Sequence, residues 1–221
     1  MILIPVKEMS TAKQRLAAVL TQQQRTTLAR TMLKDVCAAL SEVKPRPPIA
    51  LVTNDVFAVG LARHYAFDII EDRENLGESE AIAMATAEAE KRGAEFTMVL
   101  PGDIPLLRAS EVEAVLDAMP AEGSVLVPAA DGRGTNAVLR RPGALFPLRF
   151  GNDSFLPHHA SARATGKACV VLDNADLPGI ALDLDRPADL AQLLGFPMRT
   201  RTQKLLCDWN LPERWRGRAS A

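Results

Sequence analysis

Three aspartates follow apolar segments of the sequence at positions where a carboxylate could take part in chemistry. Asp103 stands in the turn PGD, which ends the apolar segment FTMVLP, and Asp183 and Asp185 close the segment IALDLD. Ligands of an open parallel sheet bind beyond the carboxyl ends of its strands, and residues i and i+2 of a strand point to one face. Converging carboxylates repel one another unless a hard cation neutralises them. The three aspartates therefore predict a Mg²⁺ site.

A structural alternative exists for two of these acids. Asp103 could cap the turn at Gly102, and Asp185 could cap a helix that begins at Pro187. Either role would need no ligand. The occurrence of all three acids at matching strand ends favours the metal site over the two separate caps.

A basic loop follows the first predicted strand and contains Lys7, Lys13 and Arg15. Cations beyond the end of a strand suit a polyphosphate. The loop has neither the glycine run nor the GK[ST] ending of a Walker A motif. The three side chains are predicted to bind a nucleotide, and the alternative is a solvated basic surface.

A third group of residues lies in the segments DGRGTNAVLRR and FGNDSFLPHH. Gly151 allows a ligand to approach the backbone closely, and Thr135 offers a hydroxyl and an N–H group. Ser154 stands at a predicted helix start, where free N–H groups bind anions. Thr135, Gly151 and Ser154 are therefore predicted to bind a phosphate or a carboxylate. A hairpin turn and an ordinary helix cap would explain the same residues.

His158 and His159 follow Ser154 in the same predicted helix. Adjacent positions of a helix face different directions, so the pair makes a poor metal site. We therefore assign neither histidine a catalytic role.

The elements that must position these residues alternate along the chain. Predicted strands cover residues 2–6, 49–53, 67–70, 96–101, 124–128, 136–141, 169–172 and 180–185, and predicted helices cover 21–40, 55–65, 79–92, 110–119, 154–165 and 187–195. Capping boxes are expected at Thr21 with Gln24 and at Ser110 with Glu113. The alternation predicts a three-layer α/β domain with a mostly parallel, mixed sheet, antiparallel between residues 124 and 150.

Composition excludes several classes of protein. The 221 residues are 48% hydrophobic and 24% charged, as in a globular protein with a sizeable core. A net charge of −1 gives no sign of nucleic acid or an anionic membrane as partner. No apolar run approaches the ~18 residues of a membrane span, and the start MILIPV is too short for a signal peptide. We expect a cytoplasmic protein.

The last residues differ from the rest of the chain. Residues 196–221 contain six basic and two acidic side chains and show no clear period. We therefore expect a domain over residues 1–195 and a basic C-terminal arm over residues 196–221. Trp209 and Trp215 in this arm could dock a partner or a second copy of the chain, so a homodimer is one expectation.

Five segments, in order, resemble one protein family. LIPVKEMSTAKQRL, LPGDIPLL, GRGTNAVL, LRFGNDSF and DLDRPADL are similar to the CofC/FbiD family, over residues 2–194. These are guanylyltransferases of coenzyme F-420 (deazaflavin) biosynthesis. The resemblance implies a single-domain, Rossmann-like nucleotidyltransferase fold of the GT-A-like kind.

The resemblance also implies the reaction. The phosphate of a small phosphorylated three-carbon acid attacks the α-phosphate of GTP, pyrophosphate leaves, and a downstream transferase takes the product. The metal-binding acids map onto Asp103, Asp183 and Asp185; the acceptor contacts onto Thr135, Gly151 and Ser154; and the triphosphate contacts onto Lys13 and Arg15. The attacking phosphate is already a nucleophile, so positioning and charge neutralisation suffice. Asp103 and Lys13 are the predicted catalytic residues, with Mg²⁺ as cofactor.

One segment departs from the family pattern. Residues 77–82 read GESEAI where family members carry a GLNAA-like sequence in the loop that helps hold the nucleotide. Gly77 is kept as a predicted nucleotide-binding residue. A carboxylate can accept hydrogen bonds from guanine, so Glu78 and Glu80 leave the mode of base recognition open.

Three questions stay open at this point. The acceptor can be 3-phospho-D-glycerate, phosphoenolpyruvate or 2-phospho-L-lactate, and we favour the first two. Another nucleotidyltransferase of the same fold, of the molybdopterin or sugar-phosphate type, would usually begin with a glycine-rich loop, which PVKEMSTAK lacks. A nucleotide-binding protein without catalysis is disfavoured by the intact set of acids.

Overall fold

Seven strands form one sheet in the computed structural model, which describes residues 1–72, 77–151 and 153–211. The strands are β1 (Ile2–Pro5), β2 (Ile49–Val52), β3 (Asp68–Ile70), β4 (Thr97–Val99), β5 (Gly123–Pro128), β6 (Thr135–Arg141) and β7 (Ala168–Val171). Their order across the sheet is β3-β2-β1-β4-β6-β5-β7. Within the described residues, β6 alone runs antiparallel to its neighbours. The predicted mixed sheet, with its antiparallel part between residues 124 and 150, is confirmed.

Helices cover both faces of this sheet. They are α1 (Gln22–Ser41), α2 (Val56–His64), α3 (Glu78–Lys91), α4 (Ala109–Asp117), α5 (Phe155–Ala164), α6 (Pro178–Ala181), α7 (Pro187–Leu194) and α8 (Arg201–Asp208). Buried side chains of α3 and α5 pack on one face, and those of the other helices pack on the opposite face. The arrangement is the predicted three-layer α/β sandwich.

Alternation along the strands divides the core in two. Ile2 and Ile4 of β1 join the larger apolar cluster, whereas Leu3 between them joins the smaller one. Successive side chains of a strand point to opposite faces, so a strand with no polar residue must be covered on both sides. The short, wholly apolar β1 and β2 therefore lie inside the sheet, and their carboxyl ends open toward the loops that carry the candidate site.

Local signals in the sequence mark the starts of several helices. The Thr21 side chain accepts from the Gln24 N–H group and Gln24 bonds back, which forms the capping box of α1. Asp55 caps α2 through a 3.0 Å bond from the Ala58 N–H group to its Oδ1. Pro187 occupies the first turn of α7, where its missing N–H group costs nothing.

The predicted cap at Ser110 and Glu113 is wrong. Helix α4 begins one residue earlier, and Glu111 accepts from the Arg108 N–H group at 3.0 Å. Glu111 also accepts from the Gly179 N–H group at 2.7 Å. This second bond ties the start of α4 to α6, and a long-range contact of that kind has no signature in the local sequence.

The predicted strand at residues 180–185 is also wrong. Helix α6 ends at Ala181, and residues 182–185 continue without joining the sheet. The Leu184 N–H group donates instead to the Asp103 carbonyl oxygen at 3.2 Å. Leu182 and Leu184 are buried, whereas Asp183 and Asp185 are partly exposed. The segment therefore alternates as a strand would, although it joins no sheet.

The described part of the segment predicted as an arm from residue 196 packs against the domain. Residues 201–208 form α8, which packs against α1, and Asp35 of α1 accepts from the Thr202 N–H group at 2.8 Å and hydroxyl at 2.7 Å. Residues 212–221, which include Trp215, lie outside the described residues. Among the described helices, none is both long enough and apolar enough to cross a membrane.

Candidate active site

Asp103 and Asp185 meet at the side chain of Lys13. The Lys13 Nζ lies 2.7 Å from Asp185 Oδ1 and makes a second ion pair with Asp103 Oδ2. Arg15 Nη1 lies 3.1 Å from Asp185 Oδ2. Both carboxylates therefore bind cations of the basic loop, and neither acts as the turn or helix cap considered as an alternative. The cap of α7 is formed by Asp189, which accepts from the Arg186 N–H group at 2.6 Å.

Lys13 is held in an unusual conformation. Its backbone adopts φ 56° and ψ 45°, the left-handed region that residues with a side chain rarely enter. Its side chain is only 8% exposed. Burial alone would lower the pKa of Lys13, but the charges of Asp103 and Asp185 raise it well above its usual range. A buried ammonium thus stays charged between two acids.

Asp183 is oriented by Asn136, a residue that the sequence analysis missed. The Asn136 Nδ2 donates to Asp183 Oδ1 at 3.1 Å and to the carbonyl oxygens of Ile180 and Ala181 at 3.0 and 2.8 Å. Burial and the negative charge of Asp103 raise the pKa of Asp183 to about 6. Asn136 follows Thr135 in the GRGTNAVL segment, and only the fold brings it against α6.

The three aspartates provide part of the ligand set that a hard cation needs. Asp103 Oδ1 is buried and has no hydrogen-bond partner in the described part of the chain. The described residues hold no ready-made cage of three or more metal-binding side chains, and the Lys13 ammonium lies between Asp103 and Asp185. Mg²⁺ keeps several waters and takes one or two carboxylates together with substrate phosphates. A partly formed set of carboxylate oxygens therefore suits it.

Glu78 is a fourth acid at this place, and sequence reasoning considered it only for base recognition. It opens α3 directly after Gly77, whose φ of +140° is favourable only for glycine. Burial and the charge of Asp103 raise the pKa of Glu78, although Lys7 lowers it. Glu78 therefore faces the predicted metal-binding acids.

Two cavities, each of about 420 Å³, open on either side of these acids. The basic-loop cavity is lined by the predicted nucleotide-binding residues, which are Lys7, Lys13, Arg15 and Gly77. The Thr135 cavity is lined by Thr135, Gly151 and Ser154, together with Asp183. Both cavities share a wall formed by Arg15, Glu78, Pro101, Asp103 and Asp185. The acids therefore lie where ligands of the two cavities would meet.

Hydrogen bonds arrange the polar groups of the Thr135 cavity. The Thr135 N–H group donates to Ser154 Oγ at 3.1 Å. Ser154 immediately precedes α5, but its side chain makes no capping bond, so the ordinary helix cap considered as an alternative is not formed. Gly151 has a φ of +143° and open space where a side chain would stand. The cavity thus presents hydroxyl groups and accessible backbone.

His158 belongs to the same network, although we assigned it no role. Its Nδ1 lies 3.0 Å from Thr135 Oγ1, and the Arg149 N–H group donates to its Nε2 at 3.0 Å. The ring is buried against Phe150. Burial, together with the charge of Arg140, lowers the pKa of His158 to about 4. The imidazole is therefore neutral near pH 7.

The arrangement as a whole can hold two anionic ligands on either side of paired acids and cations. It can neutralise the charges of the ligands and align them. Among the described residues that line it, no serine, cysteine or histidine lies beside a base as an activated nucleophile would. Such a site suits transfer between two phosphate groups.

Solved structures of other proteins share the fold of this chain. Solved structures include a protein from Desulfovibrio desulfuricans assigned to the nucleotide-diphospho-sugar transferases, with a TM-score of 0.77 and 20% identity over 97% of this chain and 96% of that one. This likeness shows the fold.

Relatives in sequence are closer. A phosphoenolpyruvate guanylyltransferase of Sphaerobacter thermophilus is 35% identical, covering 87% of this chain and 91% of the relative. A 3-phospho-D-glycerate guanylyltransferase of Phenylobacterium zucineum is 34% identical, covering 93% of each. The protein is an enzyme of the nucleotidyltransferase type. Residues 1–211 match the model of one family, and the chain therefore belongs to the family described as guanylyl transferase CofC like.

Proposed function

We propose that the protein transfers GMP from GTP to the phosphate of a phosphorylated three-carbon acid, either phosphoenolpyruvate or 3-phospho-D-glycerate. The observation that carries this proposal is the shared wall of the two cavities. Residues predicted for the nucleotide line one cavity and residues predicted for the acceptor line the other, with Asp103 and Asp185 between them. Relatives named for these two acceptors support the choice of acids.

GTP occupies the basic-loop cavity in this proposal. Lys7, Lys13 and Arg15 face its triphosphate, and Gly77 allows the backbone at the start of α3 to approach the nucleotide. Partly exposed apolar side chains of Pro5, Val6 and Ala12 also line this cavity. Such a surface can bury the flat face of a base.

The phospho-acid occupies the Thr135 cavity. The Thr135 hydroxyl, the backbone at Gly151 and the start of α5 after Ser154 provide donors for its anionic oxygens. Arg186 lines the same cavity and adds a cation for the carboxylate. Because the acceptor is small, its orientation depends on these few contacts.

The site residues bring the acceptor phosphate in line with the α-phosphorus of GTP. An oxygen of the acceptor phosphate forms a new bond to that phosphorus, and the bond to the bridging oxygen of pyrophosphate breaks. The acceptor oxygen already carries charge, so no base has to remove a proton. Lys13 and Arg15 neutralise the charge that develops on the leaving pyrophosphate.

Mg²⁺ would be held by Asp103, Asp183 and Asp185. When bound, it would supply positive charge to the transferring phosphate oxygens and lower their mutual repulsion. Asn136 would keep Asp183 in place for this role. Asp103 Oδ1, which is buried and has no hydrogen-bond partner among the described residues, would be a ligand of the ion.

The product is a phosphoanhydride, which a downstream transferase must consume, as in the deazaflavin coenzyme F-420 pathway that the sequence resemblance implies. A homodimer stays a prediction, and sedimentation analysis of the purified protein would test it. The prediction of a cytoplasmic location likewise has its test in fractionation of the host cell.

The experiment that tests the function is release of pyrophosphate by the purified protein from GTP. Each of the three candidate acids, and a sugar 1-phosphate as control, is supplied with and without Mg²⁺, and a pyrophosphatase pulls the reaction forward. Release only with a three-carbon acid and Mg²⁺ is expected. No release with any acid would refute the proposal, and release with the sugar phosphate would favour another nucleotidyltransferase.

A further inference from the structure

His158 is buried between Thr135 of β6 and the segment that leads to Gly151. It belongs to α5, yet its two ring nitrogens bond in opposite directions, one to Thr135 of β6 and one to the backbone at Arg149. The side chain is 1% exposed, so it does not contact a ligand. The reaction proposed above gives this residue no part.

The contacts of His158 determine its tautomer. The Arg149 backbone N–H group can only donate, so the Nε2 that it meets at 3.0 Å must carry the lone pair. The proton of the neutral ring therefore resides on Nδ1. Since Nδ1 lies 3.0 Å from Thr135 Oγ1, the imidazole donates to the threonine hydroxyl. The lowered pKa of His158, about 4, keeps this single proton arrangement near pH 7.

The Thr135 hydroxyl oxygen accepts from His158, which restricts where its own hydrogen can point. A hydroxyl oxygen accepts two hydrogen bonds and donates one. Thr135 Oγ1 receives His158 Nδ1–H, and its contact with the Ser154 hydroxyl is long, at 3.4 Å. Ser154 Oγ already accepts from the Thr135 N–H group at 3.1 Å, and Thr135 lines the cavity. A ligand oxygen in the cavity is therefore the better-placed acceptor for the Thr135 hydrogen.

We infer that His158 is a positioning residue, which as the Nδ1–H tautomer turns the Thr135 hydroxyl hydrogen into the cavity to meet an anionic oxygen of the phospho-acid. This inference rests on the proposed function, because the acceptor must occupy the Thr135 cavity. His158 also holds the backbone at Arg149, two residues before Gly151, so one ring orders both sides of the acceptor contacts.

The tautomer is tested first, by ¹⁵N NMR of the protein labelled at histidine. The chain has three histidines, and the His158→Gln spectrum identifies the signal that belongs to His158. A neutral ring protonated at Nδ1 is expected. Protonation at Nε2, or a positively charged ring near pH 7, would overturn the inference whatever the activity.

Two amide variants separate the two bonds of the ring. In His158→Asn the side-chain NH₂ stands near the former Nδ1 and can still donate to Thr135, whereas in His158→Gln the longer amide can meet Arg149 but not serve Thr135 in the same way. We expect KM for the acid to rise about tenfold in His158→Gln and about threefold or less in His158→Asn, the larger change being the loss of roughly one hydrogen bond. KM for GTP should stay unchanged in both, and His159→Gln is the matched control.

A double substitution gives the decisive comparison. Thr135→Val removes the hydroxyl but keeps the side-chain shape, so His158→Gln should add nothing to the KM for the acid in that background. Equal rises in KM for both substrates, or effects that add in the double variant, would show that His158 only stabilises the fold. Absence of turnover in the unchanged protein would refute the proposed function and with it the substrate role of the hydroxyl, while the NMR result separately reports the tautomer.

Discussion

The two cavities have similar volumes and meet at one wall, but they are built from different groups. Partly exposed aliphatic side chains such as Val6 and Ala12, together with an exposed Lys7, line the basic-loop cavity. Hydroxyls, glycine and carboxylates line the Thr135 cavity. A nucleotide offers a large apolar base, whose burial needs surface more than fixed donors. A three-carbon acid offers almost only polar atoms, so its site needs hydrogen bonds that are aligned in advance.

The difference extends to how each cavity is held. Thr135, Ser154 and His158 are linked by hydrogen bonds among buried side chains. The basic-loop cavity instead depends on Lys13, whose position is determined by the shared acids. Substitutions in the shared wall should therefore alter the kinetics with both substrates. Substitutions within the Thr135 cavity should alter KM for only one of them.

The largest effect is expected from Asp103→Asn in the shared wall. We expect kcat to fall by roughly 10³-fold, as when a charged group that acts on the transition state is removed. The melting temperature should fall only modestly, because Asp103 caps no turn and Lys13 keeps its ion pair with Asp185. Pyrophosphate release and thermal unfolding measure the two outcomes, with the exposed Asp208→Asn as control. A large fall in melting temperature would assign Asp103 a structural role.

A smaller loss is expected from Lys13→Met. The change leaves Asp103 and Asp185 without their shared cation, so we expect kcat to fall by about 10²-fold. Stability should fall by about 1–2 kcal/mol, because the acids are partly screened by water. Urea unfolding and steady-state kinetics provide the measurements, and Lys204→Met on the surface of α8 is the control. Unchanged stability together with unchanged kinetics would contradict the central place of Lys13.

Ser154→Ala tests whether the two cavities are separate. The Thr135 N–H group loses its acceptor and the acid loses a neighbouring hydroxyl, so KM for the acid should rise by about tenfold. KM for GTP should change by less than about twofold, since Ser154 does not line the basic-loop cavity. Ser110→Ala, in the first turn of α4 where the Ser110 side chain forms no cap, is the matched control. Equal changes in both KM values would remove the distinction between the cavities.

The smallest effect is a pH dependence of stability that comes from His158. Its pKa is about 4 in the folded chain and 6.5 for a free imidazole, so the unfolded chain binds more protons between these values. The contribution to stability is complete above pH 6.5 and is lost as the pH falls toward 4. From about pH 7.5 to about pH 5 the unchanged protein should lose about 2 kcal/mol more than His158→Gln does. Equal losses in urea unfolding would show that His158 ionises freely.

The sequence predicted most of the fold because the strands are short apolar segments and the helices carry periodic patterns and caps. Thr21 with Gln24, Asp55 and Pro187 all act through neighbours within a few residues, and such local interactions can be read from the sequence. The errors at Ser110 and at residues 180–185 have one cause. Glu111 and Leu184 make their decisive bonds to Gly179 and Asp103, which are distant in the sequence.

The candidate site divides in the same way. The types of Asp103, Asp183 and Asp185 and their places after apolar segments indicated a metal site, and Thr135 and Ser154 indicated an anion site. No such pattern in the sequence indicated a role for Asn136, Glu78 or His158, because the role of each depends on the groups that it contacts in the folded chain. An asparagine inside a strand and a histidine inside a helix acquire a role only when a carboxylate or a hydroxyl is packed against them.

The sequence by itself determined the alternation of strands and helices, the residue types predicted to bind phosphate and metal, and the family. Each of these follows from local pattern or from the order of short motifs. Only the tertiary structure decided that the acids meet at Lys13, that two cavities share them as a wall, and that His158 holds Thr135. The physical reason is that charge pairing and hydrogen bonding require atoms within a few ångströms of each other, and only the folded chain brings such distant residues that close.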